Sequence, residues 1–101
     1  VIPGESERHF QAEVIRLCKA LHRRFYFTLH SKGSPEGWPD LVILQPPVLR
    51  IRELKTNTGA LTQPQRETID LLKECNYVDV GVWRPRDWTR IVEELQHERS
   101  A

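Results

Sequence analysis

The fold turns on the stretch Gly37-Trp38-Pro39-Asp40-Leu41-Val42-Ile43-Leu44, with Gln45-Pro46-Pro47 after it and then Val48-Leu49-Arg50-Ile51-Arg52-Glu53-Leu54-Lys55. Two apolar, partly β-branched runs separated by a Pro-Pro breaker read as an antiparallel hairpin. Leu41 to Leu44 is continuously apolar, which predicts a strand buried on both faces. A turn centred between Pro46 and Pro47 sets Asp40 opposite Glu53. Facing residues project to one side with Cβ atoms about 4.5 to 5.5 Å apart, and the strand period of two puts Lys55 on that side as well. Pro-Pro is not a favoured two-residue hairpin turn, so a register shift of one or two residues stays open. In each register two carboxylates and an ammonium group lie close together at one end of a sheet.

Working outward, Phe10, Val14, Leu17 and Leu21 recur at helical spacing, which predicts a first helix over 7–21 with Ser6 as its N-cap. Phe25 to Leu29 is short and aromatic and reads as a strand, followed by a Ser/Gly/Pro loop from Ser31 to Gly37. Beyond the hairpin, Thr62 and Gln65 fit a capping box opening a helix that runs to about Cys75. Val78 to Trp83 alternates apolar residues with Asp79 and Gly81, a fourth strand ended by Pro85. Asp87 then caps a last helix bearing Trp88, Ile91, Val92 and Leu95 at amphipathic spacing. The order αβββαβα predicts an α/β sandwich, a central mixed sheet with helices on both faces.

Length and composition bound what such a fold can carry. A chain of 101 residues, 39% apolar and 29% charged, makes one domain over 1–101 with one site or one half of a shared site. No apolar run approaches the roughly 18 residues of a membrane span, and the opening residues lack the pattern of a signal peptide, which points to the cytosol. The first residue is Val rather than Met, which leaves room for upstream sequence. Cys18 and Cys75 lie far apart and form no cluster with His9, His22, His30 or His97, so both read as reduced, half-buried helix residues. A net charge of +1 neither demands nor excludes a polyanion partner, and the small basic groups at Arg23, Arg24 and Lys32 and at Arg84, Arg86 and Arg90 read first as solvated surface.

Two carboxylates as close as Asp40 and Glu53 repel unless a cation lies between them, and all-oxygen ligation suits Mg²⁺ or Mn²⁺. The backbone carbonyl of Leu54 can add a third oxygen. Such a cation lowers the pKa of a bound water and polarises a phosphoryl oxygen, while a neighbouring lysine orients the nucleophile or neutralises growing charge. That is equipment for phosphodiester hydrolysis. The competing reading is an ordinary cross-strand ion pair of Asp40 or Glu53 with Lys55 at a wet strand end.

"GWPDLVIL", then "ELK", then "GALTQPQ" opening a helix, then "VWRPRDW" after a strand, resembles the VRR-NUC family of the PD-(D/E)xK nuclease superfamily. The resemblance spans about Glu7 to Leu95, with four motifs in the right order on the right elements. It implies a restriction-endonuclease-like αβββαβ core with an extra C-terminal helix, and a metal-dependent DNA endonuclease. Asp40 and Glu53 then bind Mg²⁺ or Mn²⁺, and Lys55 assists the attacking water. The family's helical glutamine corresponds to Gln65, which is also the capping-box partner of Thr62. The acid of the first helix corresponds best to Glu13, whose alternative is a solvated surface residue. His30, Ser31 and Lys32, in the loop leading to the site, and Arg84, after the fourth strand, are candidates for contact with DNA phosphates. Small stand-alone members are similar to Holliday-junction resolvases, which implies a homodimer acting on branched DNA in a phage or bacterial repair setting. A non-catalytic DNA-binding or assembly module that keeps the fold is the alternative.

Overall fold

The computed structural model describes residues 6–28 and 36–97. Helix α1 spans Glu7–Ala20 and α2 spans Gln63–Lys73, while α3 spans Trp88–Gln96. The strands are β1 Arg24–Phe27, β2 Leu41–Gln45, β3 Val48–Leu54 and β4 Val78–Trp83. They form one sheet in the order β1-β2-β3-β4, antiparallel across the first three and parallel between β3 and β4. The order αβββαβα and the mixed sheet are as expected from the sequence.

Strand alternation divides the sheet into two faces of different character. Leu41, Ile43, Leu54 and Trp83 lie on one face and close a core with Phe10, Val14 and Cys18 of α1 and Ile91 and Leu95 of α3. Ile51 and Glu53 project from the other face, where α2 packs along β4 and buries Ile69. Strand β3, central and covered on both sides, is buried from Arg50 to Leu54. Strand β2 is fully buried on one face rather than on both as its apolar run predicts. Its inward residues Leu41 and Ile43 are fully buried, but Leu44 is exposed, because among the described residues α2 packs mainly along β4 rather than across β2.

The hairpin turn is tighter than expected. Pairing runs to Gln45↔Val48, so Pro46 and Pro47 alone make the connection, joined by a cis peptide bond. Leu41 faces Arg52 and Val42 faces Ile51, the register in which Asp40 meets Glu53.

Helix ends follow local chemistry. Ser6 Oγ accepts from His9 N at 3.1 Å, capping α1, and His22 at φ 56° turns the chain out after it. At α2, Gln65 N donates to Thr62 Oγ1 at 3.3 Å and Thr62 N donates to Gln65 Oε1 at 2.9 Å, a complete capping box. Thr62→Ala removes one half of it and is expected to cost about 1 kcal/mol in urea unfolding, with Thr62→Ser close to the parent. Asp87 departs from expectation. Its carboxylate accepts from Arg84 N at 2.9 Å and caps the short 3₁₀ turn Pro85–Asp87, while α3 starts without a side-chain cap. The cysteines also differ from the half-buried helical pair expected: Cys18 is fully buried, whereas Cys75 is exposed beyond the end of α2. Burial raises the Cys18 thiol pKa to about 11, so it stays an inert thiol at neutral pH.

The face shared with α3 carries a charge network of its own. Arg50 and Arg52 are both nearly buried. Arg50 donates to Asp79 at 2.7 Å, and both guanidinium groups reach Glu94 of α3, at 3.6 and 3.5 Å. Glu94 also accepts from Trp83 Nε1 at 3.0 Å, and Arg52 lies 5.0 Å over the Trp83 ring. Each buried charge has an opposite charge or a π face against it, which is what allows two arginines inside a sheet.

Candidate metal-binding and active site

At the end of the sheet where β3 runs out and α2 begins, a cavity of about 270 Å³ opens. Asp40, Glu53, Lys55 and Gln65 line it together. Glu7 and Gln11 of α1 and Phe27 and Thr28 at the end of β1 complete the wall.

Asp40 is held by main-chain groups on both sides. Leu54 N donates to its Oδ2 at 2.9 Å, and its own carbonyl accepts from Thr28 N at 2.7 Å. A carboxylate tied to a strand amide has little rotamer freedom, so its other oxygen points from a fixed place. Glu53, 2% exposed, projects beside it from β3, and its Oε2 is buried without a hydrogen-bond partner among the described residues. Desolvation pushes the Glu53 pKa up to about 9, helped by the adjacent Asp40 carboxylate and opposed by the Lys55 ammonium. In the absence of a cation Glu53 therefore keeps its proton at neutral pH.

A buried carboxylate oxygen with no partner, next to a second carboxylate, is costly unless something positive meets it. The donors suit a hard divalent cation: Asp40 and Glu53 bring carboxylate oxygens from two neighbouring strand ends, whereas Leu54, whose carbonyl was the third candidate, is not among the residues lining the cavity. Among the described residues no three His, Cys, Asp or Glu side chains converge into a cage. The protein thus offers a partial set, of the kind that Mg²⁺ completes with water and phosphate oxygens.

Gln65 serves two ends. Its amide oxygen is committed to the Thr62 cap, which fixes the side chain and leaves the NH₂ as the end free to meet a ligand.

Other candidates lie elsewhere. Glu13 accepts from Arg16 at 2.6 Å and has His9 at 3.4 Å, outside the cavity. The hydrogen bond from Arg16, with its charge and that of His9, holds the Glu13 carboxyl below its ordinary range. The acid that α1 places in the cavity wall is Glu7. The signal was in the sequence: Glu7 precedes Phe10 by three and Val14 by seven, so it shares their inward face, whereas Glu13 sits next to Val14 and points aside. Arg84 is turned toward its own chain, its Nη1 donating to Thr56 O at 2.5 Å and Gly59 O at 2.7 Å. It pins the loop that follows Lys55. His30, Ser31 and Lys32 lie outside the described residues.

Comparison of the chain with family models, curated proteins and solved structures finds no match in any of the three. No helix among the described residues is long and apolar enough to cross a membrane.

Proposed function

We propose that this protein is a Mg²⁺- or Mn²⁺-dependent DNA endonuclease of VRR-NUC type, a cytoplasmic enzyme acting as a homodimer on branched DNA. One observation carries the reading: the partnerless buried oxygen of Glu53 beside Asp40, in an open cavity that also receives Lys55 and Gln65. Asp40 and Glu53 are the residues to hold the cation, and bound there it supplies Lewis acidity to a phosphoryl oxygen and acidity to a water. Asp40, clamped by Leu54 N–H, would present its other carboxylate oxygen to the cation from a fixed place. Lys55 orients the attacking water and neutralises charge that accumulates on the phosphate as the phosphorus–oxygen bond to the leaving strand breaks. Gln65 donates its NH₂ to a phosphate oxygen. Tyr26 and Leu44, exposed apolar residues on one face of β1 and β2, support a self-association surface on that face of the sheet.

The α1 acid in this scheme is Glu7, which faces the cavity and acts on ligands through intervening water. Glu7→Gln is expected to lower Mn²⁺ affinity roughly tenfold, as loss of an outer-shell partner does, while Glu13→Gln leaves it unchanged. Isothermal titration with Mn²⁺ distinguishes them, and equal effects of the two would remove Glu7 from the site.

The incomplete carboxylate set favours one other reading, a non-catalytic DNA-binding or assembly module that keeps the fold. The two separate on a four-way junction and a linear duplex incubated with Mn²⁺. Cutting that vanishes in EDTA and in Lys55→Ala supports the enzyme; binding without cutting in every cation supports the module.

A further inference from the structure

Trp38 is an exposed aromatic residue held beside the cavity by an unusually constrained stretch of backbone. It is 45% exposed, whereas Trp83 is buried in the core and Trp88 is packed against it. On its N-terminal side Gly37 has φ +99°, and a Cβ there would lie 2.4 Å from the Pro64 carbonyl oxygen and 2.9 Å from Thr68 Oγ1. Only glycine permits both the conformation and this approach to the first turns of α2. On its C-terminal side Pro39 is fully buried and Asp40 lines the cavity. Two residues of chain span at most about 7 Å, so Trp38 stands within that distance of Asp40 along the backbone. Through Gly37 it stands equally near Pro64, the neighbour of the cavity residue Gln65. The backbone of Trp38 thus stands between the start of β2 and the start of α2, next to the cavity residues Asp40 and Gln65, and carries a half-exposed indole that is not itself part of the cavity lining.

A continuous duplex presents phosphates outward and its base faces inward, so an indole beside the cavity meets sugar and phosphate and gains little. Where pairing is interrupted, an unstacked base offers a π face within a few ångströms of the phosphate next to it. A tryptophan whose backbone is already fixed loses little freedom on stacking, and stacking of a base on an aromatic side chain is worth about 1–3 kcal/mol. We infer that Trp38 is a base-stacking residue that captures an unpaired nucleobase beside the scissile phosphate, and that it makes the site select DNA with unpaired bases over continuous duplex. The inference rests on the proposed nuclease reading and gives that reading its substrate preference.

The test measures binding and cleavage separately. Binding is read by fluorescence anisotropy in EDTA on the Asp40→Asn protein, with and without Trp38→Ala, using a single-stranded oligonucleotide, a four-way junction with an unpaired base at its branch point, and a linear duplex. Trp38→Ala is expected to weaken binding to the first two by roughly five- to a hundredfold, with less than about a twofold change on duplex. Trp38→Phe keeps a stacking face and most of the affinity. Single-stranded DNA should also quench tryptophan emission, and Trp38→Phe should abolish that quenching while emission from Trp83 and Trp88 persists. Circular dichroism of each variant establishes that the fold is intact. Equal loss on all three substrates, or no loss on any, overturns the stacking role even if the parent protein cuts DNA. A parent that cuts nothing in any divalent cation, yet shows the Trp38-dependent preference, overturns the nuclease reading and keeps the stacking site.

Discussion

Glu53→Gln and Asp40→Asn are each expected to lower divalent-cation-dependent cleavage by a factor on the order of 10³, equivalent to about 4 kcal/mol of transition-state stabilisation. Glu53→Gln carries a second consequence that a surface ion pair could not produce. In the folded chain Glu53 keeps its proton to about 9, against 4.5 for the free side chain. Between those values the folded state binds more protons than the unfolded one, so the stability this group contributes is complete below 4.5 and is lost as pH rises toward 9. The slope is at most about 1.4 kcal/mol per pH unit. Glutamine is neutral in both states and its NH₂ can donate to Asp40. The variant is therefore expected to be more stable than the parent in EDTA at pH 8, and the gap should close toward pH 5. Mn²⁺ replaces the proton, so it should raise the parent's stability at pH 8 and leave Glu53→Gln unmoved. Urea unfolding of the two proteins at several pH values, with EDTA and with Mn²⁺, checks each part. A parent whose stability relative to the variant rises from pH 5 to pH 8 in EDTA would contradict the buried acid pair.

Trp83→Ala is expected to cost about 3–5 kcal/mol, a large share of the roughly 5–15 kcal/mol that holds a domain of this size. Trp83 is 1% exposed and sits in the core made by α1, α3 and the sheet. Its removal opens a cavity and deprives Arg52 of the ring beneath it. It also takes away the Nε1 donor that helps hold Glu94 against the sheet. Trp83→Phe separates these contributions: the ring face stays and the hydrogen bond goes, for about 1 kcal/mol in the hydrogen-bond part. Thermal unfolding followed by circular dichroism ranks the variants, and an alanine variant within about 1 kcal/mol of the parent would mean that the core refills around the gap. Trp83 belongs to the face opposite Glu53, so Trp83→Phe should leave Mn²⁺ binding intact.

The hairpin was legible in the sequence because its determinants are local. Two apolar runs with a Pro-Pro break admit few registers, and the choice among those few follows from the single buried face that β2 has in the fold, since a slip by one residue would turn Leu41 and Ile43 to solvent. The capping box at Thr62 and Gln65 is likewise a matter of three residues' spacing. The exposure of Leu44 was not legible, because it depends on how far α2 reaches across the sheet. Arg50 and Arg52 carry no local sign of burial in the sequence. They are buried because Asp79 and Glu94, from β4 and α3, arrive to meet them. Arg84 looked free to meet phosphate, and two carbonyls of the loop after Lys55 occupy it instead.

Local patterning along the chain set the order of elements and confined the hairpin register to within a residue or two. Through that register it brought Asp40 and Glu53 to one end of the sheet, because strand pairing and helix capping are decided by nearest neighbours and a period of two or 3.6 residues. The surroundings of those acids came from long-range packing. Packing of α1 and α2 around the strand ends brought Glu7 and Gln65 to the cavity and removed water from Glu53. It also left Trp38 exposed beside the cavity, since desolvation and exposure are sums over distant segments that no local pattern contains.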